Sequence, residues 1–188
     1  MTDPFNMTNP NFLPSSTSPV LTASRWVKTI QGKIEYDNSA TTDINNVTII
    51  CNDNAGNLIS QATTNATGDY SLKAVDGVFT ISVDCNKTWG GVALSDVIRL
   101  RQALALSLTL TPLQVIAADV NESGSNTLQD VITIRQKLAL TNPPAWIAPD
   151  WVFEPSTVSI ASGDGITTKN IKGLCSGDTN GSFVPVSK

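Results

Sequence analysis

ALSDVIRLRQALAL (93–106) and TLQDVITIRQKLAL (127–140) are one segment written twice, 34 residues apart. Leu94/Leu128, Asp96/Asp130, Val97/Val131, Ile98/Ile132, Arg101/Arg135, Gln102/Gln136, Leu104/Leu138, Ala105/Ala139 and Leu106/Leu140 coincide, nine identities in fourteen positions. Each copy places apolar residues at helical spacing, as in Val131, Ile134 and Leu138, with Arg and Gln on the other side. The pattern predicts two amphipathic helices, related by duplication, that pack on each other.

Outward from the second copy, DVNESGSNTLQD (119–130) stands directly before its helix. With Asp119 as position 1, Asn121 falls at 3, Ser123 at 5, Gly124 at 6, the Ser125 carbonyl at 7 and Asp130 at 12. This is the ligand spacing of an EF-hand loop, in which hard oxygens surround Ca2+ and a glycine allows the sharp bend. An Asx-turn leading into a helix start shares the DxNxSG pattern; the duplication and the helix in the right place favour the calcium loop. Two carboxylates with neutral Asn and Ser limit affinity, so such a site fills where calcium is near millimolar, outside the cell.

AADVNESGSNTLQDVITIRQKLA resembles the calcium-binding repeat of the dockerin family, a half EF-hand loop followed by one helix and present twice, with Asp119, Asn121, Ser123 and Asp130 at ligand positions. KTWGGVALSDVIRLRQALAL, AADVNESG, PDWVFE and KGLCSGDTNGSFVP resemble the dockerin-like C-terminal modules of large secreted proteins from Bacteroidetes-type bacteria, over residues 86 to 185. Two departures from the family pattern stand out. Position 8 of the loop is Asn126 where an apolar residue is usual, and in the first copy positions 1, 3 and 5 fall on Cys85, Lys87 and Trp89, leaving Gly90 and Asp96. GDTNGS repeats the spacing of the ligands with Asp178, Asn180 and Ser182. Two readings fit it: a split second calcium site formed with Asp96, or a solvated turn near a chain end. The resemblance implies a protein partner at the cell surface, of cohesin type, contacted through Leu128, Gln129, Arg135 and Gln136, with Leu94, Ser95, Arg101 and Gln102 in the other copy.

Residues 28 to 84 change period. IQGKIEY, NNVTIIC, LISQATT, YSLKAV and VFTISVD are short strand-like runs with Gly-bearing turns, and Val47, Ile49 and Cys51, with Phe79, Ile81 and Val83, put apolar residues on one face, the pattern of an antiparallel β-sandwich. GKIEYDN, NVTII, TTNATGDYSL and DGVFTISV resemble carboxypeptidase regulatory-like and SdrD B-like modules, a likeness that implies fold and not activity. Pro4, Pro10, Pro14 and Pro19 exclude regular structure before residue 28. That segment reads as a linker, or as the tail of an upstream domain, since DPFNMTNPNFLPSSTSPV resembles the closing run of secreted parallel β-helices.

The expected architecture is therefore multi-module. A linker or tail (1–27) precedes an antiparallel β-sandwich of prealbumin or immunoglobulin type (28–84). A small α-helical dockerin-like domain with duplicated calcium-loop-helix repeats follows (85–188).

Composition bounds the function. There is no histidine, which removes Ser/His and Cys/His catalysis and every His-ligated metal site, and no carboxylate dyad with a supporting motif is visible. An enzyme is not expected. Charged residues make up 15% and the net charge is -4, which argues against nucleic acid as a partner. Ser, Thr and Asn number 18, 22 and 16, a composition suited to a secreted β-rich protein. No apolar run is long enough for a membrane span. The first residues carry no signal-like pattern, so export would require a longer precursor. Cys51, Cys85 and Cys175 lack CxxC spacing. An odd count leaves a thiol free or pairing between chains, and Cys51 and Cys85 read either as a pair or as buried small hydrophobes. Three functions follow: an extracellular calcium-binding attachment region, a carbohydrate-binding accessory with Trp146 or Trp151 as a stacking platform, or a structural stalk.

Overall fold

The computed structural model describes residues 27–139 and 145–186. The linker expected before residue 28 and the prolines at 143 and 144 lie outside them, apart from residue 27.

Five strands stand where alternation places them: β1 (Lys28–Tyr36), β2 (Thr48–Asp53), β3 (Leu58–Thr63), β4 (Asp69–Ala74) and β5 (Gly77–Asp84). In β4 Tyr70, Leu72 and Ala74 point inward while Asp69, Ser71 and Lys73 face water. Helix α1 (Leu94–Leu104) and α3 (Leu128–Ala139) follow the duplicated segments, and α2 (Pro112–Ala118) lies between them. Nothing in the helical periodicity of the repeats announces α2. Its signal is the T-P-L-Q start: Thr111 Oγ1 accepts from the Gln114 N–H at 3.3 Å, Gln114 Oε1 accepts from the Thr111 N–H at 3.0 Å, and Pro112 takes the first helical position.

After the helices the chain returns to strands: β6 (Trp151–Phe153), β7 (Ser156–Ile160), β8 (Ile166–Thr168) and β9 (Ile171–Cys175). These overturn the expected architecture. One sheet has the order β4-β1-β9-β6, with β8 also on β1, and the other β3-β2-β5-β7. The sandwich is thus completed by strands from beyond the helices, and no separate helical C-terminal domain exists. The sheet is also mixed: β8 and β9 run parallel to β1, at Thr29–Gln31 and Ile34–Tyr36 respectively. Parallel neighbours need a long crossover, and the helical stretch lies within the connection. Between β8 and β9 the Lys169 carbonyl crosses over Gly32, where a Cβ would stand 1.8 Å from its oxygen, so only glycine fits.

The physical reason is burial. One core cluster gathers Ile30, Ile34 and Leu72 from the first five strands, Trp151, Val158, Ile160, Ile171 and Leu174 from β6, β7 and β9, and Leu113 and Ala117 of α2. A second, smaller cluster holds α1 to α3 through Val97, Leu100, Val131 and Ile134. The two are joined where the Gly177 N–H donates to the Ala117 carbonyl at 2.7 Å and Trp89 Nε1 donates to the Ser176 carbonyl at 2.9 Å. All three cysteines carry free thiols; Cys51 and Cys175 are buried.

Helix α1 ends in a Schellman turn, with the Leu106 N–H on Ala103 O and the Ser107 N–H on Gln102 O, both at 3.0 Å. The left-handed position belongs to Leu106, at φ 58°, and its side chain is 93% exposed. A leucine there is strained by roughly 1–2 kcal/mol and packs on nothing in return. Leu106→Gly, after the extra flexibility of the unfolded glycine is subtracted, is expected to stabilise the protein by about 0.5–1 kcal/mol. A thermal melt with an unchanged or lower midpoint would show that the strain is not there.

Candidate metal centre

Between α2 and α3 the chain wraps around Asp119. Its carboxylate accepts the Ser123 N–H on Oδ1 at 2.9 Å and the Gly124 N–H on Oδ2 at 2.8 Å. The bend is made by left-handed residues at Glu122 (φ 51°) and Gly124 (φ 83°). Ser123 Oγ donates to the Ser125 carbonyl at 2.9 Å, and Asn121 Oδ1 accepts the Ser123 N–H at 3.0 Å. Asp130, in the first turn of α3 and fully buried, folds back so that Oδ2 accepts the Thr127 N–H at 2.9 Å. Its other oxygen, Oδ1, is buried with no hydrogen-bond partner. A desolvated carboxylate oxygen left unpaired is costly, and a cation in the loop would satisfy it.

The C-terminal GDTNGS turn lies against the start of α1, bringing Asp178, Asn180 and Ser182 beside Asp96. The Asn180 N–H donates to Asp96 Oδ1 at 3.1 Å and Thr179 Oγ1 to the same oxygen at 3.2 Å. The arrangement then repeats that of the continuous loop at most positions, but not at position 3, where Asn121 Oδ1 accepts a hydrogen bond, nor at Asp96 Oδ1, which is bonded where Asp130 Oδ1 is not. The Ser182 N–H donates to Asp178 Oδ1 at 3.1 Å and the Phe183 N–H to Asp178 Oδ2 at 3.0 Å, as positions 5 and 6 do to Asp119. Gly181, at position 4, is left-handed at φ 63°, like Glu122. Ser182 Oγ donates to the Gly91 carbonyl at 2.9 Å, and Gly91 is the residue that the 34-residue offset pairs with Ser125. The Ala93 N–H donates to Asp96 Oδ2 at 2.8 Å, as Thr127 does to Asp130. Asn180 Oδ1, at position 3, is buried and unpartnered.

Positions 1 to 6 of this second loop therefore come from 178–183, and positions 7 to 12 from 91–96. Gly91 is a candidate ligand that no side-chain pattern marks, because it offers only a carbonyl; the repeat offset is its one signal in the sequence. Lys87 and Trp89, at positions 3 and 5 of the first copy, anchor the helices to the sandwich instead. Trp89 holds Ser176, while the Lys87 carbonyl accepts from Trp151 Nε1 at 3.0 Å and Lys87 Nζ donates to Asn45 Oδ1 at 2.7 Å.

Electrostatically the two centres are acidic. Asp96 and Asp178 are both fully buried, and no ion pair among the described residues involves Asp96, Asp119, Asp130 or Asp178. Burial pushes the Asp96 carboxyl above the usual carboxylate range and the charge of Asp178 adds to the rise, against the N–H donors of Ala93 and Asn180. Each centre offers two carboxylates with amide, hydroxyl and carbonyl oxygens, an all-oxygen set suited to a hard divalent cation. No group of three or more His, Cys, Asp or Glu that could hold a metal ion occurs among the described residues.

On the helix surface Leu94, Ser95, Arg101, Gln102, Leu128, Gln129, Arg135 and Gln136 are all exposed. Ser95 Oγ also accepts from Asn180 Nδ2 at 2.9 Å, so it belongs to the second centre as well. Two further residues complete the stripes one helical turn on: Ile98, 56% exposed, and its repeat partner Ile132, 48% exposed. Trp89, Trp146 and Trp151 serve packing. Trp151 is buried, and Trp146 meets Trp89 edge-on at 5.6 Å with Lys137 Nζ 5.1 Å from each ring centre. None of the described helices is long and apolar enough to cross a membrane. No family model matches this chain, and no curated protein matches it.

Proposed function

We propose that this chain is a calcium-binding, non-catalytic attachment region of a secreted or surface protein, and that it presents a duplicated helix face to a protein partner outside the cell. The observation that supports it most is the shared hydrogen-bond pattern of the two loops: a turn preserved at positions 1, 4, 5, 6, 7, 9 and 12, although half of one loop comes from a distant segment, is what a shared ligand demands. The ions are held by Asp119, Asn121, Ser123, the Ser125 carbonyl and Asp130, and by Asp178, Asn180, Ser182, the Gly91 carbonyl and Asp96. Each loop sets the start of the helix that carries its exposed stripe, so loading and surface presentation are linked. The likeness of the repeats to dockerins points to a cohesin-like partner. Glycan stacking has less support, because Trp146 and Trp151 are engaged in packing.

The test uses surface-protein extract over immobilised protein, followed by affinity measurement with the isolated partner. Retention is expected in millimolar calcium and lost in chelator. Arg101→Ala combined with Arg135→Ala is expected to weaken binding by about 30-fold, the scale of one interface hot spot. Calcium stoichiometry and melting should not change, since surface arginines contribute little to stability. A double variant that binds as the parent does would remove the duplicated face from the interface and favour a stalk.

A further inference from the structure

The two centres differ in how they are held. Among the described residues the Asp119 carboxylate accepts hydrogen bonds only from its own loop, whereas Asp178 accepts one from outside it, from Tyr36 at the end of β1: the phenol O–H donates to Asp178 Oδ2 at 2.7 Å. Tyr36 Oη in turn accepts the Cys175 N–H at 3.0 Å, at the end of β9. The ring is fully buried, edge-on to Trp151 at 5.6 Å and to Phe183 at 5.7 Å, and Phe183 is the residue whose N–H closes the Asp178 turn. An ionised carboxylate has no proton to give, so the phenol is the donor to Asp178 while a lone pair of the phenol oxygen takes the Cys175 N–H.

We propose that Tyr36 is a positioning residue for the split calcium site, holding Asp178 in its ligating orientation and making that site, unlike the continuous one, a property of the closed sandwich. The inference rests on the calcium reading above. Three remote segments must meet before the site exists: Tyr36 of β1, 91–96 at the start of α1, and 178–183 after β9. The continuous loop needs only 119–130. Tyr36 orients Asp178 through the oxygen that also receives the Phe183 N–H, leaving Oδ1, which accepts only the Ser182 N–H, to turn toward the ion. By linkage, whatever the closed sandwich adds to calcium affinity, calcium returns to the sandwich.

The experiment is calorimetric titration of calcium in single-site backgrounds of the full chain. In Asp119→Ala, which retains only the split site, Tyr36→Phe is expected to weaken calcium binding at least tenfold, the scale of a hydrogen bond to a charged group. In Asp178→Ala, which retains only the continuous loop, the same change should leave affinity within twofold. Ile34→Val in the Asp119→Ala background separates the hydrogen bond from packing, because it loosens the same core without touching Asp178 and should leave split-site affinity within twofold; a loss equal to that of Tyr36→Phe would assign the effect to packing and overturn the positioning role. If Tyr36→Phe does not fold, the unaltered tyrosine reports instead: with 13C-labelled tyrosine in Asp119→Ala, the Cζ signal of Tyr36 should move with calcium while that of Tyr70, the only other tyrosine, stays still. Split-site affinity unchanged by Tyr36→Phe, or a Tyr36 signal indifferent to calcium, overturns the positioning role while leaving two calcium ions per chain intact. Unaltered protein that takes up no calcium overturns the calcium reading itself.

Discussion

Residues 28–84 expressed alone are expected not to fold. Although this segment contains five strands, eight of the twenty buried residues in its core cluster come from outside it: Leu113, Ala117, Trp151, Val158, Ile160, Ile171, Leu174 and Cys175. Six of these are large apolar side chains worth roughly 1.5–3 kcal/mol each on burial. Their loss amounts to about 10 kcal/mol or more, set against a total stability of about 5–15 kcal/mol for an average domain. The fragment would also bare one edge of β1, which β8 and β9 cover, and one edge of β5, which β7 covers. Such edges invite pairing between chains, so aggregation should accompany the loss of fold. Near-ultraviolet circular dichroism and amide-proton dispersion of 28–84 against 28–186 decide it. A cooperative melt and a dispersed spectrum from 28–84 would mean that the later strands decorate a sandwich that stands without them.

Removing calcium is expected to lower the melting temperature of the whole domain in one transition. Ligand that binds only the folded state stabilises it by RT ln(1 + [L]/Kd), about 2.7 kcal/mol per site at a hundredfold excess over Kd, hence about 5 kcal/mol for two sites. At 2–4 °C per kcal/mol for a chain of this size, the midpoint should fall by roughly 10–20 °C on chelation. A single transition is expected because the split site binds helix and sandwich together: Asp96 starts α1, while Asp178 is bonded to Tyr36 of β1. Leu113 and Ala117 of α2 carry the same coupling into the main core. Melting indifferent to chelator would reject the calcium assignment. Two separated transitions, with only the helical signal moving, would reject the coupling.

What the chain revealed unaided is what repeats at short range. Alternation marked β1 to β5 because a half-buried strand imposes period two on its own residues, and the duplication marked α1 and α3 because an amphipathic helix imposes its period likewise. The spacing of Asp119, Asn121, Ser123 and Asp130 was legible for the same reason: a contiguous loop keeps all its donors in one reading window. The GDTNGS echo of that spacing was also visible, but the carbonyl of Gly91 has no side-chain signature, and the link from Tyr36 to Asp178 spans 142 residues. β6 and β8 are three residues each, too short to show a period, and Ser156, Val158 and Ile160 of β7 alternate for only five. Whether these segments cover a helix pair or complete a sandwich depends on which edges of β1 and β5 remain open. An open edge is a backbone property, met by any strand that reaches it, so only the tertiary structure could decide that the chain returns through the helices to close its own sandwich.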